Sequence, residues 1–264
     1  EDQETFFVAK YSRGLATARD SWCYNFNLEQ LKSNMEKSIN FYNEQRVAYT
    51  KAKEANDIDV KSFVTYDDEK VSWNRGLLNY CNRNKAISFK ESSIRLATYR
   101  PFVKEWCYFN VAMNDMTYQL ASLFPSIHTK NLVIGTTSAG DNHFSVYISE
   151  KLPDLHLIGT TQCFPLYWYE DTKTIDSRDI FAQTMSEEDR YVRKDGITDW
   201  ILKTARKQYG KNVQKEDIFY YVYGLLHSPD YRTTFATDLK KSLPRLPLLE
   251  KAEDFWAFSK AGRD

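Results

Sequence analysis

The sequence predicts an α+β fold: a central antiparallel β-sheet, over about residues 86–170, flanked by an N-terminal helix and a C-terminal helical cap. Three observations carry this expectation. Apolar residues recur at helical spacing after Asn27; short β-branched and aromatic runs bounded by glycine and proline fill the middle; and helical stripes return over roughly the last eighty residues.

Taken in chain order, Phe6-Phe7-Val8-Ala9 and Arg13-Gly14 carry strand-like and turn-like signals. Leu28, Leu31, Met35, Ile39 and Tyr42 then recur at spacings of 3, 4, 4 and 3, with Asn27 as N-cap and Gln30 three residues on. That spacing predicts an amphipathic helix running to about Lys53. The polar, acidic stretch Asn56–Glu69 is expected to be a loop. Leu132-Val133-Ile134, Phe144–Ile148, Leu155-His156-Leu157-Ile158 and Phe164–Tyr169 read as strands, punctuated by Gly135, Gly140, Pro153 and Gly159. Ile197, Ile201 and Ala205 form a helical stripe ended by Gly210, and Ile218, Phe219, Val222, Leu225 and Leu226 form a second. Ser228-Pro229 supplies an N-cap and a first-position proline for a third helix through Tyr231, Phe235 and Leu239, which Pro244 and Pro247 stop.

Composition narrows the function classes. The 36 basic and 36 acidic residues cancel, so a charged partner must be met by a local patch. Such patches exist: Lys70–Lys104 holds eight Lys or Arg against one Glu, net +7; Glu150–Asp189 is net −6; Arg190–Lys215 is net +6. A 42 % hydrophobic content with 6 Trp, 18 Tyr and 16 Phe excludes bulk disorder. No apolar run approaches a membrane span, and Glu1-Asp2-Gln3-Glu4 is the opposite of a signal peptide, so a soluble, cytoplasmic chain is expected. The four cysteines, without a CxxC pair, are expected to be reduced and mostly buried. The start without Met suggests a segment of something longer.

Enzymatic signatures are mostly absent. There is no phosphate-binding GxxxxGK[ST] loop, no GxGxxG turn, no HExxH and no GxSxG elbow, and the four histidines lack metal-ligand spacing. Two partial matches stand out. Pro153-Asp154 followed by Asp171-Thr172-Lys173 matches a nuclease pattern in which two carboxylates hold a divalent metal and a lysine helps activate water; Asp171-Thr172 reads equally as a turn after a strand. Ser228-Pro229-Asp230-Tyr231 echoes an amino-methyltransferase signature, but no glycine-rich cofactor loop precedes it and helix capping explains it. The strongest physical signal is the +7 stretch, whose bases alternate with aromatic residues such as Trp73, Tyr80, Phe89, Tyr99 and Phe102. Cations among rings suit phosphate neutralisation with stacking, or else form a solvated face over a core.

Three places resemble one family. Tyr11–Phe26 resembles the junction after the adenine methyltransferase domain in single-chain restriction-modification enzymes of the type ISP class, which are related to single-chain type II enzymes. Tyr99-Arg100-Pro101-Phe102, Tyr108-Phe109 and Gln162-Cys163-Phe164-Pro165 look like its specificity region, and Asp217–Arg232 with Leu243-Pro244-Arg245-Leu246-Pro247 is the most specific match. The resemblance implies a C-terminal target recognition domain for double-stranded DNA: residues 1–27 a junction, 28–190 the helix and β-rich recognition region, and 191–264 a helical region. It implies no catalysis and no cofactor within this segment. S-adenosylmethionine, ATP and Mg2+ would serve the methyltransferase, helicase-like motor and nuclease elsewhere in the protein. On this reading Arg75, Arg83, Lys90, Arg95, Arg100 and Lys104 are the expected phosphate contacts, and Thr137, Ser138, Asp141, Asn142 and His143, in a turn between strands, the expected base readers. Arg100 has a competing role as an internal arginine paired with Glu105 or Asp115. A metal-dependent nuclease using Asp154, Asp171 and Lys173, or a coupling module that reads no bases, are the alternatives.

Overall fold

The computed structural model describes residues 4–56, 58–141, 143–172 and 190–264. In chain order the first elements are β1 (Ser12–Arg13), α1 (Asp20–Cys23), β2 (Tyr24–Asn25), α2 (Leu28–Ala55), α3 (Val60–Phe63), α4 (Arg75–Asn82), β3 (Ile94–Arg100) and β4 (Val103–Tyr108). There follow α5 (Leu120–Leu123), β5 (Val133–Thr137), β6 (Val146–Ser149), β7 (Leu152–Pro153), β8 (Thr161–Pro165), β9 (Tyr167–Asp171) and β10 (Tyr191–Asp195). Helices α6 (Asp199–Tyr209), α7 (Lys215–His227), α8 (Pro229–Thr234), α9 (Ala236–Leu239) and α10 (Ala252–Arg263) complete the chain. Packing divides it into two compact units, Leu15–Thr117 and the combination of Glu1–Gly14 with Tyr118–Asp264. This is a partition by contact, whereas the expected segments 1–27, 28–190 and 191–264 are drawn by role.

In the Leu15–Thr117 unit, the α2 stripe works as its spacing predicts. Asn27 Oδ1 accepts the Gln30 amide at 3.0 Å, and Leu31, Met35, Ile39 and Tyr42 are buried, joined a few turns later by Tyr49. They share a core with Ile94 and Tyr108 of antiparallel strands in the order β2–β4–β3, in which Tyr24 faces Cys107 and Ile94 faces Tyr108. The expected loop at Asn56–Glu69 contains α3. Asp59 caps it, accepting the Lys61 amide at 3.1 Å, and the apolar pair Val60 and Val64, one turn apart, is buried. Two apolar residues were too weak a period to detect among so many polar ones.

In the other unit, β1–β8–β5–β6 form an antiparallel sheet, with Ile134 facing Phe164 on one side and Ile148 on the other. Its Ile134 and Val146 join the core of α6 and α7, where Phe219, Val222 and Leu226 are buried as their spacing predicts. Two expectations need correction. Leu155–Ile158 is a turn, not a strand: Asp154 Oδ1 accepts the His156 amide at 2.8 Å and the Asp154 carbonyl accepts that of Leu157 at 3.2 Å, which bends the chain. The third helix breaks at Phe235 into α8 and α9, after the β-branched pair Thr233-Thr234. Ser228 does cap α8, accepting the Tyr231 amide at 3.3 Å. The α+β class, antiparallel pairing and helical ends are therefore as predicted, while the strands fall into separate sheets because each serves its own core.

Helix α10, beyond the prolines, lies so close to α7 that glycine is required at both contact points. A Cβ on Gly224 would stand 2.2 Å from the Phe258 carbonyl oxygen, and one on Gly262 2.1 Å from that of Tyr220. The segment between α9 and α10 is held by phenols: Tyr231, Tyr221 and Tyr209 donate to the carbonyls of Arg245, Pro247 and Leu249 at 2.7, 2.5 and 2.6 Å. All four cysteines are free and buried, and burial pushes the Cys23 thiol up to about 12 and that of Cys81 to about 11.

Candidate nucleic-acid interface

The β3–β4 hairpin gathers the densest set of candidates. A register shift between Thr98 and Arg100 precedes a two-residue turn, Pro101-Phe102, before Val103 faces Arg100. Phe102 sits at φ 65°, a left-handed position in a proline-led turn that glycine or asparagine ordinarily fills, and its side chain is 90 % exposed. Behind the turn is an ordered stack. The Arg100 guanidinium lies 3.9 Å from the centroid of the Tyr99 ring, and that ring lies 4.6 Å from Tyr24. Asp20 fastens the stack, accepting the Tyr99 hydroxyl at 3.1 Å and standing 3.9 Å from Arg100, while itself receiving a short hydrogen bond from Thr17. Glu105, buried near Arg100, has its carboxyl pushed up by that burial against the pull of the guanidinium.

The phosphate candidates thus separate into two kinds. Arg95 is buried and donates to the carbonyls of Ser92 and Ile94 at 2.6 and 2.8 Å, so it braces the start of β3. Arg100 is half-buried and donates to the Tyr99 carbonyl at 2.6 Å; its acidic neighbour is Asp20, with Glu105 close by. Arg75 at the start of α4, Arg83 at its C-cap, Lys90 before β3 and Lys104 on β4 are all exposed. Sequence alone could not make this division, because it turns on which strand residues face the core.

The proposed base-reading turn belongs to the other unit. Asp141 Oδ2 accepts the amides of Ser138 at 3.1 Å and Thr160 at 3.2 Å, Ser138 Oγ donates to the Thr160 carbonyl at 2.7 Å, and Thr137 is buried with its hydroxyl accepting the Ser145 amide. These three side chains hold the turn together. His143 is exposed beside Phe144, Arg232 and Lys240, and Asn142 lies outside the described residues.

Each carboxylate of the nuclease pattern has partners of its own among the described residues. Asp154 is buried in its own turn, while Asp171 is gripped by Arg190 through two bonds, Nε to Oδ1 at 3.0 Å and Nη2 to Oδ2 at 2.5 Å. Lys173 lies outside the described residues. Among the described residues no three His, Cys, Asp or Glu side chains converge as a metal site requires. Asp171→Asn is expected to lower stability by only about 0.5 kcal/mol, since the pair is partly solvated, and thermal melts of the two proteins check this.

The sequence reading also missed β10. It lies at the start of a basic segment and pairs with β9, where Arg193 stacks on Tyr167 at 4.4 Å and Lys194 meets Glu170 at 3.5 Å. These cross-strand pairs satisfy the hairpin's own charges. Among the described residues no helix is long and apolar enough to cross a membrane.

Against known families, the profile of the type ISP C-terminal specificity domain matches residues 6–264. The chain belongs to this family. As a type ISP specificity domain it is similar to a segment of LlaGI, a type ISP restriction-modification enzyme solved as a nuclease-deletion mutant in complex with a DNA substrate mimic: 32 % identity, TM-score 0.79, 100 % of this chain and 22 % of that one. It is likewise similar to the ATP-dependent type ISP enzyme LlaBIII bound to DNA, at 30 % identity and TM-score 0.78, over 98 % of this chain and 15 % of that one. A cryo-EM structure of a DrdV–DNA complex matches at 29 % identity and TM-score 0.80, over 99 % of this chain and 23 % of that one. The specificity domain thus spans about a fifth of the chains it resembles. No curated protein sequence matches it.

Proposed function

We propose that this chain recognises a specific sequence in double-stranded DNA and positions the duplex for adenine methylation, and for helicase-like translocation and cleavage, by other parts of the same cytoplasmic protein. The observation that carries this reading is the similarity of the entire chain, at 32 % identity, to a segment of an enzyme solved with a DNA mimic. The separation of the basic stretch into internal and exposed cations supports it: Arg75, Arg83, Lys90 and Lys104 are exposed to solvent, while Arg95 and Arg100 hold the hairpin in shape. Phosphate contacts set register and base contacts specify.

S-adenosylmethionine, ATP and Mg2+ belong to the proposed activities of the whole protein. We assign none of them to this segment, whose sequence has neither a GxxxxGK[ST] loop nor a GxGxxG turn. The methyltransferase and motor would therefore be partners of this domain within one polypeptide.

The test is selection. Full-length protein incubated with a randomised duplex library at fixed salt is expected to enrich one sequence, and specific binding should exceed non-specific binding by about a thousandfold or more. Binding without enrichment would instead identify a coupling module that reads no bases.

A further inference from the structure

We infer that Phe102 is a stacking wedge, a side chain that enters duplex DNA at one base step and packs its ring against a base. The inference rests on the DNA-recognition reading above and names a residue that contacts the bases. Four features of the hairpin converge on it. The ring is 90 % exposed, so it contributes little burial to this fold. Its backbone is held at φ 65°, a conformation unfavourable to a bulky residue, where glycine would be more stable. The platform below is rigid, because Tyr24, Tyr99 and Arg100 are stacked and Asp20 ties the last two down. Pro101 immediately before it fixes one backbone angle of the turn.

An exposed cation on the same hairpin selects the partner. Lys104 follows the turn and is exposed, so an apolar tip and a cation lie close in sequence at one end of β3–β4. A base step has this complement, a flat apolar stack beside a phosphate row. Proteins that kink DNA insert apolar side chains in this way, and stacking of a ring on a base tolerates many sequences because every base offers a π-face. An apolar protein surface receiving Phe102 would also have to accommodate the exposed Lys104 charge, which a phosphate row neutralises.

The experiment uses full-length protein and the duplex enriched from the random library, with 2-aminopurine replacing each adenine in turn. Wild type should raise the fluorescence of the probe at one step. Phe102→Gly should abolish that rise and weaken binding by about tenfold to a hundredfold, with the salt dependence unchanged because no phosphate contact is lost. Phe102→Trp should retain both. Since glycine suits the turn, Phe102→Gly should melt no lower than wild type, which separates the wedge from a folding role. Equal affinity and equal fluorescence for wild type and Phe102→Gly would overturn the inference alone. A melting temperature lowered by the glycine without DNA would overturn it in favour of docking on another part of the protein. Failure of wild type to enrich any sequence would overturn the target-recognition reading and the wedge with it.

Discussion

Replacing Gly224 by alanine is expected to destabilise the protein by about 3 kcal/mol and to lower its melting temperature on the order of 10 °C. The reason is geometric. The new methyl carbon would stand 2.2 Å from the Phe258 carbonyl oxygen and 3.1 Å from the Gly262 amide nitrogen, so neither contact can relax by rotating a side chain. Helix α10 must move away from α7, and in doing so it withdraws Phe255, which is fully buried with its ring stacked 4.3 Å from Tyr209. The hydrogen bond from Ser259 to the Asp217 carbonyl and the pair between Arg263 and Asp217 would loosen with it. Gly76→Ala provides the contrast: it lies in α4, where the added carbon meets only a side chain at 3.5 Å, and alanine there should be neutral or stabilising. Calorimetry on both variants checks the pair, and equal melting temperatures would mean that α7 and α10 can slide apart at little cost.

Neutralising Arg75, Arg83, Lys90 and Lys104 together, each to glutamine, is expected to weaken DNA binding about a thousandfold near 0.15 M salt and to reduce the slope of log affinity against log salt by about three to four units. Each exposed cation that neutralises a phosphate releases about one counterion, so the four losses should accumulate. The loss should be nearly uniform across sequences, because backbone contacts carry no base information. Arg95→Ala is the control: its guanidinium holds the Ser92 and Ile94 carbonyls, so its removal should depress stability while leaving the salt slope intact. Melting curves and titrations at several salt concentrations distinguish the two. An unchanged slope in the quadruple variant would remove this face from the interface.

What the sequence made legible follows from the range of the forces involved. The α2 stripe, the α7 core face and the Ser228 cap are local: each depends on residues within one or two helical turns, and each stands where its spacing predicts. The misassigned segments depend on distant partners or on side-chain competition. Leu155–Ile158 has the composition of a strand, yet the Asp154 carboxylate turns it, and β10 acquires its identity by pairing with β9. The candidate site divides along the same line. Composition located the basic stretch, but whether Arg95 faces the core or Lys104 faces out depends on strand register, and Arg100 has Asp20, eighty positions away, as an acidic neighbour beside the expected Glu105. Asp141, expected as a base reader, also shapes the turn, since short polar side chains suit both purposes.

The three phenols that hold Arg245, Pro247 and Leu249 set an unusual rule for substitution in that segment. Their targets alternate along the chain and are all main-chain carbonyls, which every amino acid supplies. The segment is thus registered as an edge strand would be, with side-chain hydroxyls in place of a neighbouring strand. Tyr221 and Tyr231 cannot be exchanged even for phenylalanine without releasing one point of it, whereas the Leu249 carbonyl is held twice, by the Tyr209 hydroxyl and by the Gln208 side-chain amide at 2.6 Å. Leu246, Leu248 and Leu249 add a second constraint, since their side chains pack against the core.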